Sequence, residues 1–201
     1  MIRTLLVDLG NVLVPFSHER MCRQIGDLVG LDGAVVHAAI FDSGLLPPFE
    51  RGEIDAAEFQ RGLEQSLSVR FETEALHRAA GDIFDLSLPM RPLLDQLRHQ
   101  GYRLVMLSNT CTVHYDWLRS QCDVFAPFHA LVLSFQVGAV KPEAGIFQRA
   151  LEVIHCDPEE CFYTDDIPAY VEAARRFGLQ AEVFTDPASF REQLRGHGVK
   201  V

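Results

Sequence analysis

Five side chains suited to chemistry stand at the ends of apolar segments in this chain. Asp8 closes the run in TLLVDLG, Ser108 closes VMLS, Lys141 begins KPEAGIF, and Asp165 and Asp166 end CFYTDD. A carboxylate can attack phosphorus as a nucleophile, a lysine can stabilise negative charge, and paired carboxylates are ligands that Mg²⁺ prefers. These residue types suit a metal-assisted reaction at a phosphate ester.

The element that carries Asp8 is predicted to be a strand buried on both faces, because Leu5, Leu6 and Val7 are all apolar. In parallel α/β sheets, ligands bind beyond the carboxyl ends of such strands. Asp8 is therefore expected to lie where α/β proteins place their chemistry.

From Met90 onward, apolar strand-like and helix-like segments alternate. RPLLDQLRHQ and the segments after Thr110 and from Pro142 read as helices, whereas GYRLVMLS, ALVLS, CFYT and LQAEVF read as strands. This alternation predicts parallel strands joined by right-handed crossovers, and hence a three-layer α/β fold. Three prolines are expected in first helical turns: Pro142, Pro158 and Pro187.

Residues 16–87, called the insertion segment below, contain no convincing strand. They hold helix-length amphipathic stretches separated by glycines and prolines, with the clearest helix start at Asp55, where Glu58 stands at the reciprocal position of a capping box. The predicted organisation is a core of residues 1–15 and 88–201 and a helical unit of residues 16–87.

Composition narrows the classes of partner. The chain has 201 residues, is 48% hydrophobic, and carries 18 Lys and Arg against 28 Asp and Glu, a formal charge of −10. There is no basic block, so neither nucleic acid nor an anionic membrane is expected as a partner. A bound phosphate would need a local cation, which Lys141 or a metal ion could supply.

The cysteines and the amino terminus suggest a cytoplasmic protein. The five cysteines form no C-x-x-C pair and are expected to be reduced thiols, and Cys111 is given no role although it follows the Ser-Asn-Thr motif. The first residues lack a cleavage pattern, and no apolar stretch has the length of a membrane span.

The four motifs that carry Asp8, Ser108, Lys141 and the pair of Asp165 and Asp166 resemble, in order and spacing, those of the haloacid dehalogenase-like hydrolase superfamily. The resemblance extends over nearly the whole chain. DLGNVLV, LSNT, KPEAGIF and FERGEIDAAEF are similar to the branch of sugar-phosphate phosphatases, which includes bacterial α-glucose-1-phosphate phosphatases and the phosphatase half of epoxide hydrolases. The resemblance implies a Rossmann-like parallel core with a small helical cap, inserted after the first strand, that closes over the site. The loop from Phe41 to Glu53 is expected to line its entrance.

The resemblance also implies a role for each residue. Asp8 would be the nucleophile that forms an aspartyl-phosphate, and also a ligand of Mg²⁺ together with the Gly10 carbonyl. Asp166 would bind the metal directly, and Asp165 through water. The expected activity is Mg²⁺-dependent hydrolysis of a small phosphorylated metabolite, with a sugar phosphate as the preferred substrate class.

Phosphate would be held by the segment that follows the second strand. Ser108, Asn109 and the backbone amides of Asn109 and Thr110 would bind its oxygens, and Lys141 would supply a fixed positive charge to both the phosphate and Asp8. Taken singly, these residues could instead form turns, helix caps or a solvated loop.

Two positions depart from the family pattern. Most phosphatases and mutases of the superfamily have a second aspartate at the position of Gly10, which protonates the leaving group and activates water. Its absence disfavours a phosphomutase, and His18, Glu50 or Glu53 is a hypothetical substitute. Tyr170 stands where the pattern usually has an asparagine that fixes the acidic loop.

Two other functions stay open. A catalytically silent module that binds a phosphorylated ligand or a protein is supported by Gly10 and Tyr170, but opposed by the retained Asp8, Ser108 and Lys141. A 2-haloacid dehalogenase is the rival within the superfamily, and the pair Asp165 and Asp166 argues against it because those enzymes need no metal.

Overall fold

A five-stranded parallel sheet forms the centre of the protein. A computed structural model describes residues 1–201, and its sheet order is β3-β2-β1-β4-β5. The strands are β1 Thr4–Val7, β2 Arg103–Ser108, β3 Ala130–Leu133, β4 Cys161–Asp165 and β5 Gln180–Val183. The predicted α/β Rossmann-like fold is confirmed.

The pairing register brings the candidate residues to one edge of this sheet. Val7 of β1 pairs with Met106 on one side and with Thr164 on the other. Asp8 and Asp165 directly follow two of these positions, and Ser108 lies two residues beyond the third, so all three lie at the carboxyl ends of the central strands. Asp8, Ser108 and Asp165 stand on this edge.

Helices cover both faces of the sheet. The core helices are α6 Arg91–His99, α7 Thr112–Gln121, α8 Ser134–Val137, α9 Ala144–Ile154, α10 Pro168–Arg176 and α11 Pro187–Gly196. Alternate residues of β1 enter different apolar clusters: Leu5 and Val7 belong to one of 33 residues, and Leu6 to one of 15. Two buried faces explain why this strand reads as a continuous apolar run.

The insertion segment is helical, as predicted. Its helices are α1 His18–Val29, α2 Gly33–His37, a π-helical turn Ala38–Asp42, α3 Leu46–Glu50, α4 Ala56–Leu67 and α5 Thr73–Gly81. An isolated bridge joins Phe16 to Phe84, where the segment leaves and returns. The capping box of Asp55 and Glu58 is present at the start of α4. The domain boundaries at residues 16 and 87 stay a prediction.

One of the expectations for the prolines needs correction. Pro187 begins α11 and Pro158 begins a short 3₁₀ helix, both as predicted, but Pro142 lies two residues before α9. Pro142 follows a cis peptide bond in a turn that the Glu143 amide closes by donating to the Val140 carbonyl. Proline at the third position of such a turn and proline at a helix start look alike in sequence.

No single helix is long and apolar enough to cross a membrane. One pair of helical segments, His18–Val29 and Gly33–Asp42, passes that test jointly on length and composition, with a bend of 110° between them.

Candidate active site

Three carboxylates meet at the carboxyl edge of the sheet. One oxygen from each of Asp8, Asp165 and Asp166 lies within 4.8 Å of the others. Asp8 follows β1, Asp165 is the last residue of β4, and Asp166 comes directly after it. The cluster arises because two neighbouring parallel strands end on acids in the same register.

Lys141 neutralises part of this negative charge. Its Nζ donates to Asp8 Oδ1 at 2.7 Å, to Asp165 Oδ2 at 2.6 Å and to the Leu107 carbonyl at 3.2 Å. The residue is only 3% exposed, so these ion pairs are shielded from solvent. The lysine fills its three donor positions within the protein.

Asn109 holds Lys141 in position. Its side chain accepts a hydrogen bond from the Lys141 amide at 2.7 Å and donates one to the Lys141 carbonyl at 3.0 Å. The amide group therefore matches both backbone groups of the lysine. Phosphate binding by Asn109 stays a prediction. Its contact with Lys141 was not predicted, because the two residues are 32 positions apart in sequence.

The charges of the site are not balanced. Burial raises the pKa of Asp8 to about 7, with Lys141 opposing the shift and Asp165 adding to it. Burial opposes the charge of Lys141 too, but Asp8 and Asp165 outweigh it and raise the pKa of the lysine. Burial also raises the pKa of Asp166. Three carboxylates share one lysine, so a divalent cation would relieve their repulsion.

The two adjacent aspartates differ in their surroundings. Asp165 is fully buried and accepts hydrogen bonds from Lys141, from the Ile167 amide at 2.9 Å and from the Tyr163 hydroxyl. Asp166 is half-buried and lines the cavity above the site. Only Asp166 of this pair faces the space where a ligand can bind. The hydrogen bond from Tyr163 to Asp165 was not predicted from the sequence.

The positions after Asp8 show why an acid is missing there. A Cβ on Gly10 would lie 2.7 Å from Cε1 of Phe16, so the phenylalanine ring occupies the space that a side chain would need. Asn11 follows with a positive φ of 55° and donates from its side chain to Asp166 at 3.2 Å. Asn11 is a site residue that the sequence interpretation missed.

The end of β2 and the residues that follow it partly meet expectation. Ser108 is buried and lines the cavity. However, the Thr110 amide donates to Ser134 Oγ at 2.9 Å, and the same hydroxyl donates to the Thr110 carbonyl at 2.8 Å. The expectation that the Thr110 amide binds phosphate is therefore wrong, because Ser134 from a distant segment already engages it.

Tyr170 belongs to the site, although in sequence it appeared only as a departure. Its ring centroid lies 5.1 Å from Lys141 Nζ, and its hydroxyl accepts a hydrogen bond from Asn109 at 3.5 Å. A cation over an aromatic face is stabilised electrostatically. Tyr170 thus stabilises the ammonium group of Lys141 in addition to the two carboxylates that accept its hydrogen bonds.

A cavity of about 220 Å³ opens above these residues. Half of its 28 lining residues come from the insertion segment, and of these only His18, Glu50 and His77 are polar. Its large apolar side chains include Phe16, Ile25, Leu46, Phe49, Phe59 and Phe84. The site therefore combines a charged floor from the core with a mainly apolar roof.

The loop expected to line the entrance does so in part. Leu46 and Phe49 of α3 line the cavity, whereas Leu45, Pro47 and Pro48 do not. Of the hypothetical substitutes for the missing acid, His18 and Glu50 line the cavity and Glu53 does not. The one-turn helix sets which of its neighbouring residues face inward.

Cys111 has no sign of reactivity. It is buried at the start of α7, and burial raises the pKa of its thiol to about 12. A thiol that stays protonated is a poor nucleophile. All five cysteines are free.

The fold and the carboxylate–lysine cluster define a class, that of Rossmann-like α/β proteins with an acidic site at the carboxyl edge of a parallel sheet. Comparison with known families gives the same result. The family of haloacid dehalogenase-like hydrolases matches residues 2–178. The chain belongs to this family.

Three curated relatives illustrate the range of the similarity. D-ribitol-5-phosphate phosphatase of Bacteroides thetaiotaomicron is 23% identical over 96% of this chain and 97% of its own length. Sesquiterpene phosphatase astK of Aspergillus oryzae is 25% identical over 78% of this chain and 80% of its own. Bifunctional epoxide hydrolase 2 of Rattus norvegicus is 26% identical over 64% of this chain, which spans 24% of that protein.

A solved structure shares the fold. A haloacid dehalogenase family enzyme from Bacteroides thetaiotaomicron, in complex with magnesium and inorganic phosphate, superposes with a TM-score of 0.81 at 24% identity. The match covers 94% of this chain and 99% of that one.

Proposed function

We propose that the protein is a Mg²⁺-dependent phosphatase that hydrolyses a small phosphate monoester through an aspartyl-phosphate on Asp8. The observation that carries this proposal is the cluster of Asp8, Asp165 and Asp166 bridged by Lys141 at the carboxyl edge of the sheet. A related enzyme solved with magnesium and inorganic phosphate supports it.

The donor set fits Mg²⁺, because three carboxylates converge and only one lysine offsets them. Asp8, Asp166 and the Gly10 carbonyl would hold the ion directly, and Asp165, which three donors already engage, would act through water. When bound, the ion would offset the charge of the phosphoryl oxygens.

The residues of the chain then divide the hydrolysis into two steps. An oxygen of Asp8 attacks phosphorus, and the bond from phosphorus to the ester oxygen breaks. Water then attacks the aspartyl-phosphate, which releases inorganic phosphate and restores Asp8. Lys141 offsets charge beside Asp8 in both steps, and Ser108 binds a phosphoryl oxygen.

Two substrate classes compete. The sequence resemblance favours a sugar phosphate, and the relative named D-ribitol-5-phosphate phosphatase supports that class. The roof of the cavity favours an apolar leaving group, since it offers few partners for hydroxyl groups, and the relative named sesquiterpene phosphatase supports this second class. Burying apolar surface contributes about 25 cal/mol per Å².

A substrate panel with one cavity variant distinguishes these classes. Ala80 lines the cavity from α5, so Ala80→Phe places a ring in the chamber. For an apolar substrate we expect kcat/KM to fall at least about tenfold, because one or two methylene equivalents of lost contact are worth this much. Release of phosphate from methyl phosphate should change little.

The measurement is steady-state phosphate release from isoprenyl, phenyl, methyl and pentitol phosphates at fixed Mg²⁺. If the wild-type protein prefers the pentitol phosphate over every apolar ester, the sugar-phosphate class stands and the apolar class fails. The thermal unfolding temperature of Ala80→Phe serves as the control for folding.

The silent binding module stays the alternative function, on the observation that Phe16 fills the place of the missing acid. It predicts that the folded protein binds inorganic phosphate or Mg²⁺ but releases no phosphate from any ester in the panel. A dehalogenase would instead release halide from 2-haloacids without metal.

A further inference from the structure

The two-step hydrolysis needs a group that gives and takes a proton, and the usual position for it is closed. Phe16 occupies the space beside Gly10, so a side chain at position 10 cannot fill this role without displacing the ring. Without proton transfer, an alkoxide leaves slowly, and positioned acid–base catalysis typically contributes about 10²- to 10⁴-fold in rate.

The cavity offers few candidates. Its lining contains three carboxylates, and two of them, Asp8 and Asp166, belong to the acidic cluster. The third is Glu50 at the end of α3. Of the three histidines in the lining, two are less suited, because burial lowers the pKa of His18 and lowers that of His114 to about 4, which disfavours the imidazolium form. The third, His77 on α5, is the remaining alternative.

We propose that Glu50, delivered from the insertion segment, is the general acid and base that replaces the aspartate missing at Gly10. This inference rests on the proposed phosphatase function. Glu50 shares the cavity with Asp8 and Lys141, and its carboxylate makes no hydrogen bond or ion pair with the protein, so it is available to a substrate.

The neighbours of Glu50 in sequence fix its place over the core. Arg51 forms an ion pair with Glu143, with Nε 3.2 Å from one carboxylate oxygen and 3.4 Å from the other. Glu143 also accepts a hydrogen bond from the Val140 amide at 3.0 Å, in the turn that contains Lys141. The ion pair therefore ties Glu50 to the segment that carries the lysine.

The residue before Glu50 is anchored too. Phe49 is buried and stacks on Phe59 of α4, with ring centroids 4.5 Å apart. Glu50 thus stands between two anchored side chains, one held by apolar packing and the other by charge. A short helix fixed at both contacts can present a carboxyl group in a constant position.

The charged surroundings suit a proton donor. Burial raises the pKa of Glu50, while Arg51 on its own segment and Lys141 across the cavity oppose the shift. The other titratable groups that face it are Cys111 at the start of α7 and Tyr170 on α10. A raised pKa keeps more of the carboxyl group protonated near neutral pH, as leaving-group protonation requires.

The proton balance closes over one turnover. The carboxyl proton of Glu50 passes to the ester oxygen as the bond to phosphorus breaks, which leaves an alcohol and a Glu50 carboxylate. That carboxylate then takes a proton from the water that attacks the aspartyl-phosphate. Asp8, phosphate and protonated Glu50 result.

The test compares Glu50→Gln with Glu53→Gln, a matched carboxylate three residues away that does not line the cavity. For an alkyl phosphate, we expect Glu50→Gln to lower kcat/KM by about 10²-fold or more, and Glu53→Gln to leave it within about twofold. For 4-nitrophenyl phosphate, whose leaving group needs no proton, the loss in the first step should be small.

Pre-steady-state kinetics separate the two roles of Glu50. With 4-nitrophenyl phosphate and Mg²⁺, Glu50→Gln should release a burst of about one nitrophenol per protein and then turn over slowly, because water attack lacks its base. The alkaline limb in the pH profile of kcat/KM for the alkyl ester should disappear in this variant. A residue that only supports the fold would change neither feature selectively.

The proposal is overturned if Glu50→Gln slows all esters equally, or by less than about threefold, while the wild-type protein is active. No phosphate release by the wild-type protein would overturn the phosphatase function itself. Circular dichroism and the thermal unfolding temperature of Glu50→Gln exclude unfolding as the cause of a loss.

Discussion

Replacing Asp8 with asparagine will abolish Mg²⁺-dependent phosphate release, with a loss on the order of 10⁴-fold or more, in the range seen when a nucleophile is removed from an enzyme. A carboxamide cannot form the acyl-phosphate, and it is a weaker ligand for a hard cation. The other two lining carboxylates are placed differently, since Asp166 is held by Asn11 and Glu50 belongs to α3 of the insertion segment.

The fold of this variant should survive. Asparagine has the shape of aspartate and can still accept the hydrogen bond from Lys141, and the ion pair between Lys141 and Asp165 stays. Burial makes the charged form of Asp8 unfavourable, as its raised pKa indicates, so removing the charge should not lower stability in the absence of metal.

The measurement is phosphate release by Asp8→Asn and by Asp116→Asn, a control at an exposed acid of α7, each with Mg²⁺ and with EDTA. Thermal unfolding in EDTA checks the fold. Activity of Asp8→Asn within about tenfold of the wild-type protein would contradict the assignment of Asp8 as nucleophile.

Replacing Lys141 with methionine will reduce both stability and activity. The ammonium group bridges two buried carboxylates, and removing one partner of a buried ion pair typically costs about 3–5 kcal/mol, because the remaining charges are left uncompensated. The rate should fall by about 10²- to 10³-fold, as when another electrostatic contact to the reacting group is removed.

Metal dependence gives this prediction a second readout. A cation bound to Asp8 and Asp166 would restore part of the compensation, so Mg²⁺ should raise the unfolding free energy of Lys141→Met more than that of the wild-type protein. Urea unfolding in EDTA measures the loss of stability without metal, and unfolding with Mg²⁺ measures how much of it the cation restores. If the unfolding free energy of Lys141→Met in EDTA equals the wild-type value, the ion pairs of Lys141 with Asp8 and Asp165 do not stabilise the protein in solution.

Lys141→Arg is the matched control, because it keeps the charge. The larger guanidinium cannot occupy the space of a compact ammonium that contacts Asp8, Asp165 and the Leu107 carbonyl. We expect the stability of Lys141→Arg to lie between those of the wild-type protein and Lys141→Met. Its activity should be nearly as low as that of Lys141→Met.

Much of this protein is determined by local sequence. The strands, the helical insertion and the placement of Asp8, Ser108 and Asp165 at strand ends follow from apolar runs and their period, because burial on two faces demands continuous apolar residues. The capping box at Asp55 and Glu58 is equally local, since both of its hydrogen bonds lie within four residues. In both cases the interacting or patterned residues are close in sequence, so the sequence is sufficient to predict the structure.

Tertiary structure alone decided how the charged residues are held. Asn109 braces Lys141 across 32 residues, Ser134 takes the Thr110 amide across 24, and Asn11 reaches Asp166 across 155. No local pattern specifies such pairs, because each depends on which elements the fold brings together. The same holds for Tyr170, which looks like a lost asparagine in sequence and supports the lysine in space.

The sequence by itself therefore determined the family, the sheet and the acids at its edge, because each depends on neighbouring residues. It could not determine that the Phe16 ring fills the space beside Gly10, or that Glu50 enters the cavity while Glu53 does not. Those features arise when an inserted helical segment packs over the strand ends, and packing depends on shapes that are distant in sequence.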